Sequence, residues 1–179
     1  MAKKTLNNFA FIDVETTGLD AEVHEIIEIG LVIADNDFNV VSEFEVKVKP
    51  EHIETADPVA LRVNKYNEDD WEGAVTLTEA IQVLSEKTVD CIMVGHNVSF
   101  DSLFLEKAFR RLNIPNKMFY YKLDTLSIAF AVGANDPDIE HLSLHSLCEH
   151  FCIENKNAHT ALSDARATFE LFKKLMKAK

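Results

Sequence analysis

Three short segments near the start of the chain have the hydrophobic pattern of β-strands. They are FAFIDVE at residues 9–15, EIIEIGLVIAD at residues 25–35 and VVSEFEVKVKP at residues 40–50. In the third segment apolar and charged residues alternate, which is typical of a strand with one face in solvent. A short polar turn, DNDFN, joins the second and third segments, so we predict an antiparallel meander here.

The pattern then changes to the longer period of helices. Asp57 before Pro58 is a typical helix start, and the capping box TLTE at residues 76–79 opens a second helix. Two longer amphipathic helices are predicted over residues 99–113 and 160–177. Their inward-facing residues are expected to be Phe100, Leu103, Phe104 and Ala108 in the first, and Ala161, Ala165, Phe169, Phe172 and Met176 in the second.

Further strands separate these helices. DCIMVG at residues 90–95 predicts a short buried strand, and another strand is expected to end near Asp124. Gly, Asn, Pro and Asp at residues 133–138 predict a loop, and a helix is predicted over residues 141–152. Strands first, followed by strands alternating with helices, predict an α/β fold in which helices pack on a mixed sheet.

The composition indicates one compact globular unit. With 179 residues, 47% of them hydrophobic, we predict a single domain over residues 1–179. The polar N-terminus and the short apolar run after it indicate neither a signal peptide nor membrane association. Three cysteines without a C-x-x-C pair favour a reducing, cytoplasmic setting. The net charge of −12 argues against broad, non-specific capture of duplex nucleic acid, although it does not exclude a nucleic-acid substrate.

Two carboxylates interrupt the first predicted strand. Asp13 and Glu15 are two residues apart, so both project to the same side of the strand, about 7 Å apart. In a partly buried place such like charges repel each other unless a cation lies between them. At a strand end that reaches solvent, the pair would instead be harmless. The turn TTGL that follows has exposed backbone amides, which favour a binding site.

Two later segments place chemically similar residues at element junctions. In GHNVSFD at residues 95–101, Asp101 falls in the first turn of a helix; in HTALSD at residues 159–164, Asp164 borders an apolar stripe and His159 precedes the helix. Each segment alone is compatible with an ordinary helix cap or surface residue. Because such junctions gather at one rim of an α/β sheet, the three segments together predict one site.

The segments DVETTGL, HNVSFD and HTALSD resemble the three motifs of the DEDDh, or DnaQ-like, 3′-5′ exonucleases, the family of bacterial proofreading exonucleases. The resemblance implies a ribonuclease H-like fold with a mixed five-stranded sheet. It implies that Asp13, Glu15, Asp101 and Asp164 bind two divalent cations, Mg²⁺ or Mn²⁺, and that His159 is the general base. It also implies a pocket for the 3′-terminal nucleotide, lined by Thr16, Thr17, Gly18, Leu19, His96, Asn97 and Phe100.

The expected reaction is the release of nucleoside 5′-monophosphates from 3′ ends of single-stranded or frayed DNA. RNA remains open as the substrate, either through an oligoribonuclease or through an RNA-trimming activity. A third alternative is an inactive module that binds nucleic acid or a polymerase. The resemblance also raises a DNA polymerase as partner, although RVNKYNEDDW departs from the His-Gly-Ile turn that relatives often carry after the Pro58 helix. The oligomeric state stays open.

Overall fold

The fold is built on a mixed β-sheet, seen in a computed structural model that describes residues 7–133, 136 and 138–177. Within these residues the sheet has five strands: β1 is Phe9–Thr16, β2 Ile26–Ala34, β3 Val40–Lys47, β4 Ile92–Gly95 and β5 Lys122–Asp124. Their order is β3-β2-β1-β4-β5. The first three strands pair antiparallel, whereas β4 runs parallel to β1 and β5 parallel to β4. The predicted meander and mixed sheet are confirmed.

Six α-helices accompany the sheet in the described part of the chain. They are α1 Pro58–Val63, α2 Leu77–Lys87, α3 Val98–Leu112, α4 Thr125–Gly133, α5 Leu144–His150 and α6 Ala161–Lys177. Short 3₁₀ turns cover Ile53–Thr55 and Asp69–Trp71. The predicted starts of α1 and α2 are confirmed, since the Asp57 side chain accepts from the Val59 N–H and Thr76 forms a capping box with Glu79. None of the described helices is both long and apolar enough to cross a bilayer.

Two helical assignments differ from the sequence prediction. The hydrophobic pattern does not predict helix α4, TLSIAFAVG, because its apolar residues show no helical period. In the structure Asp124 sets the start of this helix, since its carboxylate accepts from the Leu126 N–H and the Ser127 hydroxyl. Helix α5 is shorter than predicted, because Ser143 caps it through the Ser146 N–H and leaves residues 141–143 outside. The loop predicted at 133–138 includes residues outside the described part of the chain.

Alternation along β1 sends side chains to two separate helical layers. Ile12 and Val14 join the core beneath α2 and α3, whereas Phe11 packs at 5.1 Å from Phe169 of α6, measured between ring centroids. Asp13 and Glu15 continue the Phe11 side of the strand and therefore lie on the α6 layer. Because side chains alternate between the two faces of β1, both carboxylates lie near the start of α6.

Two residues expected to face inward are exposed instead. Leu103 is 50% exposed and Met176 is 37% exposed, so both predictions were wrong. Leu103 lies at the flank of the buried stripe of α3, which consists of Val98, Asp101, Ser102, Phe104, Leu105, Ala108 and Phe109. In α6 the neighbouring Leu175 is buried in place of Met176.

A glycine in β2 lets α6 begin directly against the sheet. A β-carbon at Gly30 would lie 2.1 Å from the backbone carbon and 2.2 Å from the carbonyl oxygen of Ala161. Backbone cannot rotate aside as a flexible side chain can, so the helix start would have to move. We therefore infer that Gly30 fixes the distance between the sheet and the first turn of α6.

Gly30→Ala is expected to lower the stability by about 2–3 kcal/mol, the usual cost of overpacking a rigid contact. For a chain of this size, that corresponds to a melting temperature about 5–10 °C lower, measurable by differential scanning calorimetry. Gly73→Ala is the matched control, because no atom lies within 4 Å of the β-carbon it would add. Equal melting temperatures for the two variants would contradict the close packing of α6 on Gly30.

Candidate active site

The first two acidic residues lie near the carboxyl end of β1. In the antiparallel register with β2, Asp13 is opposite Gly30 and Glu15 is opposite Glu28. Both acids are partly buried. The parallel strand β4 ends at the same rim, and α3, which carries Asp101, begins three residues later. The topology therefore brings the first two motifs to one rim, as the sequence predicts.

Asp101 is joined to β1 by a hydrogen bond. Its side chain is 3% exposed, and its Oδ1 accepts the Val14 N–H at 3.0 Å. The pairing between β1 and β4 involves Phe9 to Phe11, so Asp101 binds β1 beyond the point where β4 does. Because Val14 lies between Asp13 and Glu15, this bond places the Asp101 carboxylate beside both of them.

The third motif meets the first at the start of α6. Asp164 Oδ2 accepts the His159 N–H at 3.2 Å, which ties the loop before α6 to its first turn. His159 is exposed and has a φ of 67°. One ligand atom each from Glu15, His159 and Asp164 lies within 4.8 Å of the others. The structure therefore brings together residues that are 149 positions apart in the sequence, 164 − 15.

Asn155 is a polar contact of this site that the sequence did not reveal. Its Nδ2 donates to Asp164 Oδ1 at 2.6 Å, and its Oδ1 accepts the Ser163 hydroxyl at 2.7 Å. Asn155 and the His159 N–H together donate to both oxygens of the Asp164 carboxylate. In ENKN an asparagine is indistinguishable from an ordinary loop residue, so no pattern could have marked it.

Burial and mutual repulsion dominate the electrostatics of the site. Burial, followed by the charges of Asp101, Glu15, Asp164 and Glu28, raises the pKa of Asp13 well above its usual range. Burial and then the nearby Asp164, Glu28 and Asp101 raise the pKa of Glu15 to about 8. Burial raises the pKa of Asp101 to about 7, against the opposing hydrogen bond from Val14. The carboxylates thus destabilise one another when ionised, a cost that a bound cation would relieve.

The metal-free protein is expected to lose stability as the pH rises from about 4 to about 8.5. The folded-state pKa values of Glu15 and Asp101 lie above those of an unfolded chain, so the folded protein binds the extra protons and rising pH removes their contribution. We expect a loss of about 5 kcal/mol, or about 10–20 °C in melting temperature. Thermal melts in EDTA across this range measure it. Glu15→Gln should flatten the profile, and a melting temperature that rises with pH would contradict the prediction.

The turn after β1 is held by its own hydrogen bonds. The Thr16 hydroxyl donates to the Gly18 carbonyl oxygen at 2.7 Å, and the Thr17 hydroxyl accepts the Glu25 N–H at 2.9 Å. Both threonines are buried, whereas Leu19 is 80% exposed. At Gly18 an added β-carbon would lie 2.4 Å from the His24 ring, so the turn is closed on that side. Of these four residues, Leu19 extends its side chain furthest into solvent.

The expected pocket residues after β4 have different environments. His96 is bonded within the chain: Nδ1 lies 2.9 Å from the Thr125 hydroxyl and Nε2 lies 2.8 Å from the Leu142 carbonyl oxygen. Burial lowers its pKa, which favours the neutral ring. Asn97 is exposed with a φ of 60°, and half-buried Phe100 packs on Phe104 with ring centroids 5.0 Å apart. His96 therefore supports the rim, while Asn97 is open to solvent.

The turn after α1 contributes two further residues that the sequence did not assign. The buried Asn64 side chain donates through Nδ2 to the Thr16 carbonyl oxygen at 2.8 Å. Lys65, with a φ of 52°, reaches the Ala158 carbonyl oxygen at 3.4 Å, next to His159. This turn is the segment that departs from His-Gly-Ile. It therefore bridges the end of β1 and the loop that carries His159.

The donor set matches the requirements of a hard divalent cation. Mg²⁺ and Mn²⁺ prefer carboxylate oxygens, and the site supplies Asp13, Glu15, Asp101 and Asp164. The group formed by Glu15, His159 and Asp164 could hold one such ion. Mutual repulsion of the ionised carboxylates is the condition that a cation would compensate. The residues present therefore fit a divalent metal.

Known proteins share both sequence and fold with this chain. Residues 10–172 match the RNase_T family, described as Exonuclease. The chain is 32% identical over 177 residues to the 3′-5′ exonuclease DinG of Staphylococcus aureus, covering 93% of this chain and 19% of DinG. It is 31% identical over 169 residues to the PolC-type DNA polymerase III of Bacillus subtilis, covering 94% of this chain and 11% of the polymerase. The chain thus spans about a fifth or less of these relatives.

Solved structures of exonuclease I share the fold. One matches with a TM-score of 0.84 and 22% identity, covering 97% of this chain and 41% of exonuclease I. The Escherichia coli enzyme in complex with a dT13 oligonucleotide matches with a TM-score of 0.83 and 20% identity, over 96% of this chain and 41% of that one. These matches confirm the predicted ribonuclease H-like architecture. The family match over residues 10–172 shows that the chain belongs to the RNase_T family of DnaQ-like exonucleases.

Proposed function

We propose that residues 1–179 act as one 3′-5′ exonuclease domain that releases nucleoside 5′-monophosphates from single-stranded or frayed DNA. The observation that carries the proposal is the meeting of Glu15, His159 and Asp164 within 4.8 Å, beside Asp13 and Asp101. The relatives support the direction of cleavage, since DinG is named a 3′-5′ exonuclease. They also support the substrate, since exonuclease I binds a DNA oligonucleotide.

Four carboxylates are assigned to two divalent cations, Mg²⁺ or Mn²⁺. The residues are Asp13, Glu15, Asp101 and Asp164, whose oxygens suit these ions. Two bound cations would supply Lewis-acid stabilisation of the negative charge that develops during phosphodiester cleavage. The protein holds its carboxylates in place beforehand through the Asp101 bond to Val14 and the Asn155 bond to Asp164.

His159 is assigned as the general base that takes a proton from the attacking water. Its side chain is exposed, so it can pass this proton to solvent, and an imidazole exchanges protons near neutral pH. The hydrogen bond from its N–H to Asp164 fixes the backbone that carries the ring. Lys65 supports the same loop through the Ala158 carbonyl oxygen.

The 3′-terminal nucleotide is assigned to the surface formed by the turn after β1 and the start of α3. Leu19 offers an exposed apolar side chain against which a base can pack, and Asn97 offers an exposed amide. Half-buried Phe100 lies in the first turn of α3. The buried Thr16 and Thr17 and the half-buried His96 support this surface through internal hydrogen bonds, and Gly18 lies in the turn.

The direct test is digestion of a 5′-labelled single-stranded oligonucleotide in Mg²⁺ or Mn²⁺. We expect a ladder that shortens from the 3′ end, with release of mononucleotides and no cleavage in EDTA. If the labelled oligonucleotide stays at full length with both metals, the proposal is overturned, provided that the protein is folded, as shown by cooperative thermal melting.

The choice between DNA and RNA is tested by single-stranded DNA, a mismatched duplex and RNAs of two to five residues side by side. The proposal expects fastest removal from single-stranded DNA or the mismatched end. Faster cleavage of short RNA would establish the oligoribonuclease alternative. Calorimetric titration that detects no binding of a divalent ion would favour the inactive binding module.

The polymerase named among the relatives supports a DNA polymerase as partner, and gel filtration of the two proteins together tests it.

A further inference from the structure

Glu28 is a buried acid that lies outside the three motifs. It is 3% exposed, lies on β2 and is directly opposite Glu15 in the antiparallel register. Its Oε1 accepts the N–H of Ala161, the first residue of α6, at 3.2 Å. Glu28 therefore connects the strand beside β1 with the helix that carries Asp164, across 133 sequence positions.

The start of α6 needs such an acceptor. The first N–H groups of a helix have no partner within the helix, and the side chain of a Thr directly before the helix accepts from the second or third of them, which leaves the first N–H without a partner. Thr160 occupies that position, and its hydroxyl donates to the Asn157 carbonyl oxygen at 3.1 Å. The carboxylate of Glu28 supplies an acceptor from outside the helix instead.

The second contact between β2 and the start of α6 is made by Gly30. It lies opposite Asp13, and its missing side chain makes room for the Ala161 backbone. Each acid of β1 therefore has a cross-strand neighbour that touches the same residue, Ala161. Because Asp164 lies three residues further in the same turn, β2 sets the separation between the acids of β1 and Asp164.

We propose that Glu28 is a positioning residue that holds the first turn of α6, and with it Asp164 and His159, against the acids of β1. The inference rests on the proposed function, because the task it assigns to Glu28 is alignment of that site. Glu28 acts through the Ala161 N–H and need not touch the substrate. What matters is therefore an acceptor oxygen at this position, rather than a negative charge.

Three variants separate these roles. Glu28→Leu removes the acceptor at similar size, Glu28→Gln keeps an acceptor oxygen without the charge, and Glu86→Leu makes the first change at an exposed position on α2. We expect Glu28→Leu to lower kcat by about 10–100-fold, as loss of a supporting contact behind metal ligands does. KM for the oligonucleotide should change little. Glu28→Gln should retain kcat within about threefold, and Glu86→Leu should equal the unaltered chain.

Two measurements do not depend on nuclease activity. Amide hydrogen exchange of the unaltered protein should show Ala161 protected by at least about 100-fold, as expected of a stable hydrogen bond. The rise in melting temperature caused by Mn²⁺ should be smaller in Glu28→Leu and preserved in Glu28→Gln. An unprotected Ala161 amide, or Glu28→Gln as impaired as Glu28→Leu, would overturn the inference while leaving the exonuclease proposal intact. Absence of activity in the unaltered chain would instead count against the proposed function.

Discussion

Asp13→Asn is expected to abolish exonuclease activity and to raise the melting temperature of the metal-free protein. The variant keeps the shape of the side chain but removes the ionisable carboxyl group. Burial and the charges of Asp101, Glu15 and Asp164 raise the pKa of this group. Relief of this repulsion stabilises the fold without metal. The same change removes a proposed metal ligand, so kcat should fall by at least about 10³-fold, as when a central electrostatic group is lost. Opposite changes in stability and activity are the signature of a strained functional site.

Melts with and without metal give this prediction its second measurement. In the unaltered chain, Mg²⁺ or Mn²⁺ at about 100 times its dissociation constant should add about 2.7 kcal/mol of stability. This gain should disappear in Asp13→Asn. Glu86→Gln removes one acidic charge from an exposed position of α2 and should leave both readouts unchanged. Full activity in Asp13→Asn, or an undiminished metal shift, would show that Asp13 is not part of the site.

His159→Gln is expected to lower kcat by about 10²–10⁴-fold, the usual contribution of a general base. KM should change little, because His159 is not assigned to binding of the 3′-terminal nucleotide. The melting shift caused by Mn²⁺ should persist, because the proposal gives the imidazole a proton-transfer role. This outcome separates a base from a ligand, since His159 also lies within 4.8 Å of Glu15 and Asp164 at the ligand atoms.

The matched control for this variant is His145→Gln. His145 is exposed on α5 and contacts Glu149 at 3.5 Å, away from the three motifs. The control should retain the kcat and the metal shift of the unaltered chain. If His159→Gln keeps full activity, another group accepts the proton; if it loses the Mn²⁺ shift, His159 is a metal ligand.

Local patterns were sufficient where the sequence carried a period or a cap. The alternation in β3, the capping box at Thr76 and the motif acids predicted the meander, the start of α2 and the rim. The hydrophobic pattern did not predict α4, because a uniformly apolar sequence has no helical period. It also placed Leu103 in the core, although Leu103 lies outside the buried stripe of α3. In each case the deciding factor was which side another element covers.

By itself, the sequence determined which chemical groups are present and that they lie next to predicted strand ends and helix starts. Asp13, Glu15 and Asp101 could be assigned to a rim because strand and helix periodicity fixes the side of each residue. The roles of Asn155, Asn64 and Glu28 were decided only by the tertiary structure. Their hydrogen bonds to Asp164, Thr16 and Ala161 depend on where distant elements pack, and polar residues in a loop or buried strand carry no local signal of a partner far along the chain.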